Sequence, residues 1–521
     1  MKFSELDIAV FVGYCLLIVA VGLWVSRDKK GHQKDSKDYF LAGSTLPWWA
    51  IGASLIASNI SAEQFIGMSG SGYALGLGIA TYEWMAAATL LVVGKFFLPI
   101  FLDKKIYTMP QFLEIRYDKR VRTSLAVYWL LVYIFVNLTS VLYLGALTLK
   151  TVMGIDLTTA IICLAIFSLV YSIYGGLMAV AWTDVVQVAF LVLGGLITTY
   201  LALDTLSQGE GVLAGLSSLL AKAPERFDMI LDSSHPSYKD LPGISVLIGG
   251  MWIANLNYWG CNQYITQRAL AAKSLSEAQR GIIFAGFLKL IMPLIVVIPG
   301  IVAFVLKPDL PKADEAYPWL LNSFVPVGLK GLAFAALVAA VVSSLSSMTN
   351  SIATIFSMDL YKEYIKKGAS EKNLVFTGRL VGIVAMSIAI LVAPFLSTLD
   401  QAFQFIQEFT GFVSPGVVAI FLLGLFWKKT TANAALWSAI LSVPVSLLFK
   451  FLLPDLPFLD RMGVIFLSLC ALMVAISLYE SKVENPKGIA LSKKLFHTDM
   501  VFNVGAVTIC IVLAFLYARF W

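Results

Sequence analysis

The chain has 521 residues, 59% of them hydrophobic and only 13% charged, with a formal net charge of +6. Ordinary soluble domains run near roughly 45–50% apolar and about 25% charged, so that class is excluded. Apolar runs of about 18–25 residues recur instead, each enough to cross a hydrocarbon layer of about 30 Å as a helix, and the alternation of a β-barrel is absent. The composition is that of an all-α polytopic membrane protein.

The first run, about Leu6 to Val25, is too long for a signal-peptide core. It lacks a small-residue cleavage site and is followed, not preceded, by positive charge, so it reads as a retained helix. The second, from Trp48 to about Met68, contains Ala57-Ser58-Asn59-Ile60-Ser61-Ala62-Glu63-Gln64-Phe65. Exposing these polar groups to lipid would be costly, which predicts a broken helix whose polar groups line a cavity. Spans follow at 79–101, 122–149, 157–173 and 178–204. The next, 244–266, carries a second polar interruption, Ala254-Asn255-Leu256-Asn257-Tyr258-Trp259-Gly260. Paired interrupted helices in two halves of a membrane chain point to a substrate site near mid-membrane. Spans at 281–306, 328–360 (over-long, hence tilted or projecting), 375–394, 400–426, 433–453, 462–480 and 502–520 complete a predicted set of about fourteen, with 6–26 and 47–69 at its head.

Charge tests this arrangement. With the N-terminus outside, the inner connections hold most of the 38 Lys and Arg, among them Arg27, Lys29, Lys30, Lys34, Arg116, Arg122, Arg268, Arg280, Lys362 and Lys482. That excess predicts both termini outside. The basic balance is therefore loop bias and gives no case for nucleic acid. The five cysteines lie in or beside apolar runs without metal-ligand spacing, and His32, His235 and His497 all fall in polar connections.

Long outer connections are predicted at 205–243 and 307–327, the first containing Asp232-Ser233-Ser234-His235-Pro236, with room for short surface helices. The longest inner connections are about twenty residues, too short for a nucleotide-driven motor, and no Walker-type motif is present. Gly70, Gly72, Gly76 and Gly78 read as a flexible turn. The Asn137-Leu138-Thr139 sequon lies within a span.

Several intramembrane polar residues are candidates for chemistry. Asn59, Ser61, Glu63 and Gln64 either cap the helix break or line a cavity, and they are more than a kink requires. Glu83 is either an interfacial carboxylate or an acceptor in a cavity. Lys289 lies about 10 Å into its span by helical rise, and either snorkels or faces a cavity, bonding a ligand or pairing with an acid. Asp184 is either a helix-start residue or functional. Ala340, Ser343 and Ser344 share one helical face. They either back-bond and pack, or, opposite carbonyls freed by a broken helix, form an uncharged all-oxygen shell suited to a hard monovalent cation; the broken partner favours sodium. Phe403 with Gln407, and Asn255 with Tyr258, place aromatics beside amides, which suits a neutral, hydroxyl-rich ligand such as a sugar.

At these residues the chain resembles the sodium/solute symporter family, in its bacterial sodium/galactose (sodium/glucose-type) branch. The likeness runs nearly end to end, through Trp48-Trp49-Ala50, Asn59-Ile60-Ser61-Ala62-Glu63-Gln64-Phe65, Tyr82-Glu83-Trp84, Ser172-Ile173-Tyr174-Gly175-Gly176, Trp182-Thr183-Asp184 and Ser343-Ser344. The resemblance implies a LeuT-type fold: two inverted five-helix repeats with broken first helices, about 47–204 and 244–426, an outer loop at 205–243, and peripheral segments 1–46 and 427–521. It implies sugar bonding by Asn59, Gln64, Glu83, Asn255, Lys289 and Gln407. Met68, Tyr82 and Phe403 would form the outer gate, and Tyr258, with Trp259 beside it, the inner one. Sodium would take carbonyls of Ala57, Ile60 and Ala340 and the hydroxyls of Ser343 and Ser344, with Asp184 on the inner exit path. Ala86 stands where the branch has a Ser near the sugar, and Asn257 and Cys261 replace expected aromatic neighbours of the inner gate.

The expectation is a sodium-coupled importer of a galactose- or glucose-like monosaccharide, working by alternating access in the inner membrane as a monomer or weak homodimer. Alternatives are another solute on the same fold (inositol or a sialic acid, the latter opposed by Glu83) or a channel or sensor. A sensor lacks room for a signalling domain, and bulky gates oppose an open channel. No enzymatic constellation is evident.

Overall fold

The computed structural model describes residues 4–25, 27, 35–398, 402–481 and 483–521. Lys29, Lys30, Lys34, Lys482 and His32 lie outside the described residues. Among the described residues the chain is helical, with ten helices long and apolar enough to cross a membrane on their own. The first is α1 (Glu5–Val25).

The first predicted break is present. Helix α2 (Trp48–Asn59) ends at Ile60, whose backbone is extended (φ −80°, ψ 103°), and the chain resumes as a π-helical turn, Glu63–Met68, and then α3 (Ser69–Leu75). The break is capped from within the polar stretch. The Ser61 Oγ accepts from the Glu63 N–H at 3.0 Å, and the Gln64 Oε1 accepts from the Ser61 N–H at 3.0 Å, a reciprocal Ser-x-x-Gln cap. The chain continues through α4 (Thr81–Val92), α5 (Lys119–Val132) and α6 (Thr139–Met153).

Residues Leu157–Leu206 form one helical run, α7, that a straight geometry would stretch to about 75 Å, more than two hydrocarbon thicknesses. Gly176 interrupts it with φ 62° and ψ −152°, so the two predicted spans meet there without a connecting loop. A side chain at Gly176 would lie 2.4 Å from the Tyr39 carbonyl oxygen. The connection that follows contains the short helix Val212–Lys222, as its length allowed.

The second break mirrors the first. Helix α8 (Gly250–Leu256) runs into a π turn, Asn257–Cys261; Asn262 is extended (φ −82°, ψ 125°) and caps α9 (Gln263–Leu270). The Asn262 Oδ1 accepts from the Tyr133 hydroxyl at 2.5 Å. The start of the first broken helix pairs with the end of the second: Leu46 N–H donates to the Ala271 carbonyl and Lys273 N–H to the Leu46 carbonyl. With α9 packed on α2, the two broken helices run antiparallel.

The remaining helices are α10 (Leu275–Leu306), α11 (Leu329–Ile355), α12 (Glu371–Val392), α13 (Ala402–Gly411), α14 (Ser414–Phe426), α15 (Ala432–Leu452), α16 (Phe458–Glu480) and α17 (Met500–Arg519). Between α13 and α14 the freed Phe412 carbonyl accepts from the Ser442 and Ser446 hydroxyls of α15, which satisfy it in place of water. Helix α11 is buried almost throughout, whereas α1, α15, α16 and α17 bury only narrow faces.

Three of the charges predicted to lie in inner connections are structural rather than solvated. Arg116 is fully buried and donates to the Gly424, Trp427 and Thr430 carbonyls, closing the end of α14. Arg122 is buried against Asp359, at 2.8 Å, and Glu114. Arg268 is fully buried within α9.

Candidate functional site: a polar cavity between the two broken helices

A cavity lies where the two breaks face α4, α10 and α13. Asn59, Gln64, Glu83, Asn255, Lys289 and Gln407 all line it, as do Met68, Tyr82, Phe403, Tyr258 and Trp259. The six proposed sugar contacts and the five gate residues thus come from five separate stretches of sequence into one space.

Its centre is an ion pair. The Lys289 ammonium donates to the Glu83 Oε2 at 2.5 Å and to the Asn59 Oδ1, and lies 5.2 Å from the centre of the Trp259 ring. Both charged groups are buried. Helix α4 therefore delivers Glu83 as an interior acceptor, not an interfacial carboxylate, and Lys289 does not snorkel. Pro293 lies one turn beyond Lys289 inside α10 and removes the N–H that would otherwise bond the Lys289 carbonyl.

The amides are partly committed. Because Gln64 Oε1 is held by the cap at Ser61, its amide nitrogen is what it offers to a ligand. Asn255 donates to the Met251 carbonyl one turn back at 3.1 Å, leaving its oxygen as acceptor. The wall offers donors at Gln64 and Lys289 and acceptors at Glu83 and Asn255, a pattern that matches hydroxyl groups, which donate and accept at once.

Aromatic groups close two ends. Tyr82 and Phe403 meet edge to face with centroids 5.4 Å apart. Gly67 permits this, since a Cβ there would lie 2.8 Å from Phe403 Cβ. At the other end Tyr258 packs edge-on against Trp259, and its hydroxyl accepts from Tyr264 at 2.8 Å. Beyond Tyr258 lies a second cavity, lined in part by Glu63, Tyr128, Asn137, Asn262 and Thr410. Ala86 and Asn257 line the first cavity; Cys261 is buried and lines neither.

The serine face of α11 meets the end of α2. The Ser344 hydroxyl donates to the Ser58 carbonyl at 3.0 Å, and Ser343 to the Asp184 Oδ1 at 2.8 Å. Nearby, the Ala57 carbonyl has lost its helical donor, because the Ser61 N–H is turned to Gln64. The Ile60 carbonyl is likewise deprived, the Gln64 N–H going to the Ser61 carbonyl. Carbonyls at the end of α2 that have lost their helical donors, with the Ser343 and Ser344 hydroxyls and the buried Ala340 on the facing α11, offer the kind of neutral oxygen set that a hard cation needs.

Asp184 is not a helix-start residue. It is fully buried, accepts from Ser54 at 2.5 Å and from Ser343, and lies 3.8 Å from the Arg268 guanidinium. Arg268 also donates to Ser54, Ser347 and the Tyr264 carbonyl. Sequence reasoning gives Ser54 and Ser347 no role and treats Arg268 only as a connection charge. The available signal was spacing: Ser54 with Ser58, and Ser343 with Ser347, are each four apart and share a face.

Residues 39–442 match the profile of the sodium:solute symporter family. The chain belongs to this family. Within it, the chain is 58% identical to a sodium/glucose cotransporter of Vibrio parahaemolyticus, covering 99% of this chain and 98% of that one. It is 37% identical to sodium/myo-inositol cotransporter 2 of Homo sapiens, over 83% of this chain and 68% of the relative. Among solved structures, a substrate-bound outward-open Na+-coupled sialic acid symporter superposes with a TM-score of 0.79 at 27% identity, covering 92% of this chain and 98% of that one. A nucleobase-cation-symport-1 family transporter shares the fold alone, with a TM-score of 0.55 at 14% identity, over 89% and 98% of the two chains.

Proposed function

We propose that this symporter imports a galactose- or glucose-like monosaccharide, driven by sodium, through alternating access. The carrying observation is the donor and acceptor cavity built around Lys289, Glu83 and Asn59 at two helix breaks, aromatic at both ends. Asn59, Gln64, Glu83, Asn255, Lys289 and Gln407 bond the sugar hydroxyls. Met68, Tyr82 and Phe403 close the outer side, and Tyr258 with Trp259 the inner. Sodium is held by the Ala57, Ile60 and Ala340 carbonyls and the Ser343 and Ser344 hydroxyls, and leaves past Asp184.

The break at Ile60 touches both ligands, which gives a direct route for coupling. Sodium fixes the end of α2 against α11, and that same end carries Asn59 and the Gln64 cap into the sugar site. One charge crossing about 100 mV supplies about 2.3 kcal/mol, and a tenfold sodium gradient adds about 1.4 kcal/mol. A few-hundred-fold accumulation per coupled ion follows.

The same reading takes the core as two inverted five-helix repeats, 47–204 and 244–426, within about fourteen spans of which several are broken, flanked by 1–46 and 427–521. The antiparallel broken helices support inversion. This reading has both termini outside the inner membrane; it is supported by Asp7 accepting from the Gly328 and Gly331 N–H groups and Met229 donating to the Phe520 carbonyl, contacts that leave each terminus near one of the two connections taken as outer. The protein works as a monomer or weak homodimer. A second solute, inositol, is supported by the 37% identity to the human sodium/myo-inositol cotransporter 2.

The test is uptake of labelled glucose, galactose and myo-inositol into proteoliposomes with and without an inward sodium gradient. Uptake that survives collapse of the gradient refutes the coupling. Preference for myo-inositol over both hexoses selects the second solute.

A further inference from the structure

Two acceptors in this wall have no partner. The Asn257 Oδ1 and the Glu63 Oε1 are buried, and neither receives a hydrogen bond. Both residues line the main cavity and also the second cavity beyond Tyr258, so they stand at the neck between them. The Asn257 amide is not free to turn. Its nitrogen donates to the Ser414 Oγ at 3.0 Å, and Ser414 in turn donates to the Thr410 carbonyl at 2.8 Å, so Ser414 can only accept from Asn257. The amide oxygen is thereby held as an acceptor in the neck, whose wall Glu63 shares. A buried acceptor left open is unfavourable until a donor arrives. Lys289, the cation of the site, is engaged with Glu83 and Asn59. What a sugar brings is hydroxyl donors.

We propose that Asn257 is a specificity-determining residue, its Oδ1 accepting a hydrogen bond from one hydroxyl of the transported monosaccharide, with Glu63 accepting from a neighbouring one. This rests on the sugar reading above and adds which wall atom selects among sugars. Ser414 is its positioning residue, because it fixes which end of the amide faces the ligand.

The test uses the full-length protein in proteoliposomes under a sodium gradient, with a series of monodeoxy hexoses competing against labelled glucose. For the unsubstituted protein, the deoxy sugar lacking the hydroxyl that Asn257 holds should compete roughly tenfold less well than glucose, the scale of one lost hydrogen bond. In Asn257→Leu, glucose itself should weaken to match that one analogue, while ratios for the other deoxy sugars and the sodium activation curve stay put. Deoxy ratios identical in N257L and the unsubstituted protein, with uptake intact, overturn this inference alone. No sodium-driven hexose uptake by the unsubstituted protein overturns the sugar reading, and this inference with it. If N257L does not fold, judged by gel filtration and sodium-induced thermal shift, Ser414→Ala carries the test. With its clamp gone, the amide turns and the selective ratio should fall toward one; an unchanged ratio overturns the assignment.

Discussion

Lys289 on α10 and Glu83 on α4 meet at 2.5 Å inside the bundle, although 206 positions separate them in the chain. Each explains the burial of the other, and removing one leaves an uncompensated charge. Lys289→Met should therefore cost about 3–5 kcal/mol in stability and abolish sugar uptake. Adding Glu83→Gln should restore most of the stability but none of the uptake. Thermal unfolding in detergent, paired with proteoliposome uptake, separates the two effects; a double variant no more stable than the single would contradict the pairing.

Ser343 and Ser344 tie α11 to Asp184 and to the Ser58 carbonyl. Replacing Ser343 with Ala should raise the sodium concentration for half-maximal uptake roughly tenfold, the worth of one ligand oxygen. Sugar affinity measured at saturating sodium should hardly change. A sodium activation curve superposing on that of the unsubstituted protein would remove Ser343 from the cation site.

Ser61 and Gln64 close the break reciprocally. Ser61→Ala should cost about 1 kcal/mol, within the range for a lost N-cap. Gln64 Oε1 keeps the bond from the backbone N–H of residue 61 but loses the one from the Ser61 hydroxyl, so its orientation should loosen and sugar affinity should fall modestly. Calorimetry and equilibrium sugar binding report the two consequences separately.

Asp499 caps α17 outside the membrane segment. Desolvation alone would raise its carboxyl pKa, but bonds from the Phe502 N–H, Ser276 and Arg280 outweigh it and hold the group below its ordinary value. Stability from such a depressed group is present above the unfolded pKa of about 3.9 and is lost as pH falls through the lower folded value. Asp499→Ala should lower the thermal midpoint at neutral pH. The gap between the two proteins should shrink as pH drops below about 4, and a gap independent of pH would contradict the assignment.

Polarity within apolar runs is a strong signal because lipid supplies no partners, and so both breaks were readable from Asn59 and Asn255 outward. Meeting partners were not readable. Nothing in the one-dimensional pattern says that Glu83 reaches Lys289 rather than the interface, and a basic residue near a predicted span end looks the same whether it faces water or is buried. Arg116, Arg122 and Arg268 were assigned to inner connections for that reason, while the fold uses them to satisfy carbonyls, carboxylates and hydroxyls. The Gly176 junction was hidden similarly, since Gly175-Gly176 marks a bend without saying that helix continues at once on either side.

The Leu46 pairing with Ala271 and Lys273 joins the start of the first broken helix to the end of the second. Two arms fastened at one tip behave as tongs. Displacing the fastened tip carries α2 and α9 together, whereas α3 and α8, on the far side of the breaks, are not bound by that fastening. The jaw that holds the cargo thus inherits its leverage from a stretch of backbone that never touches it.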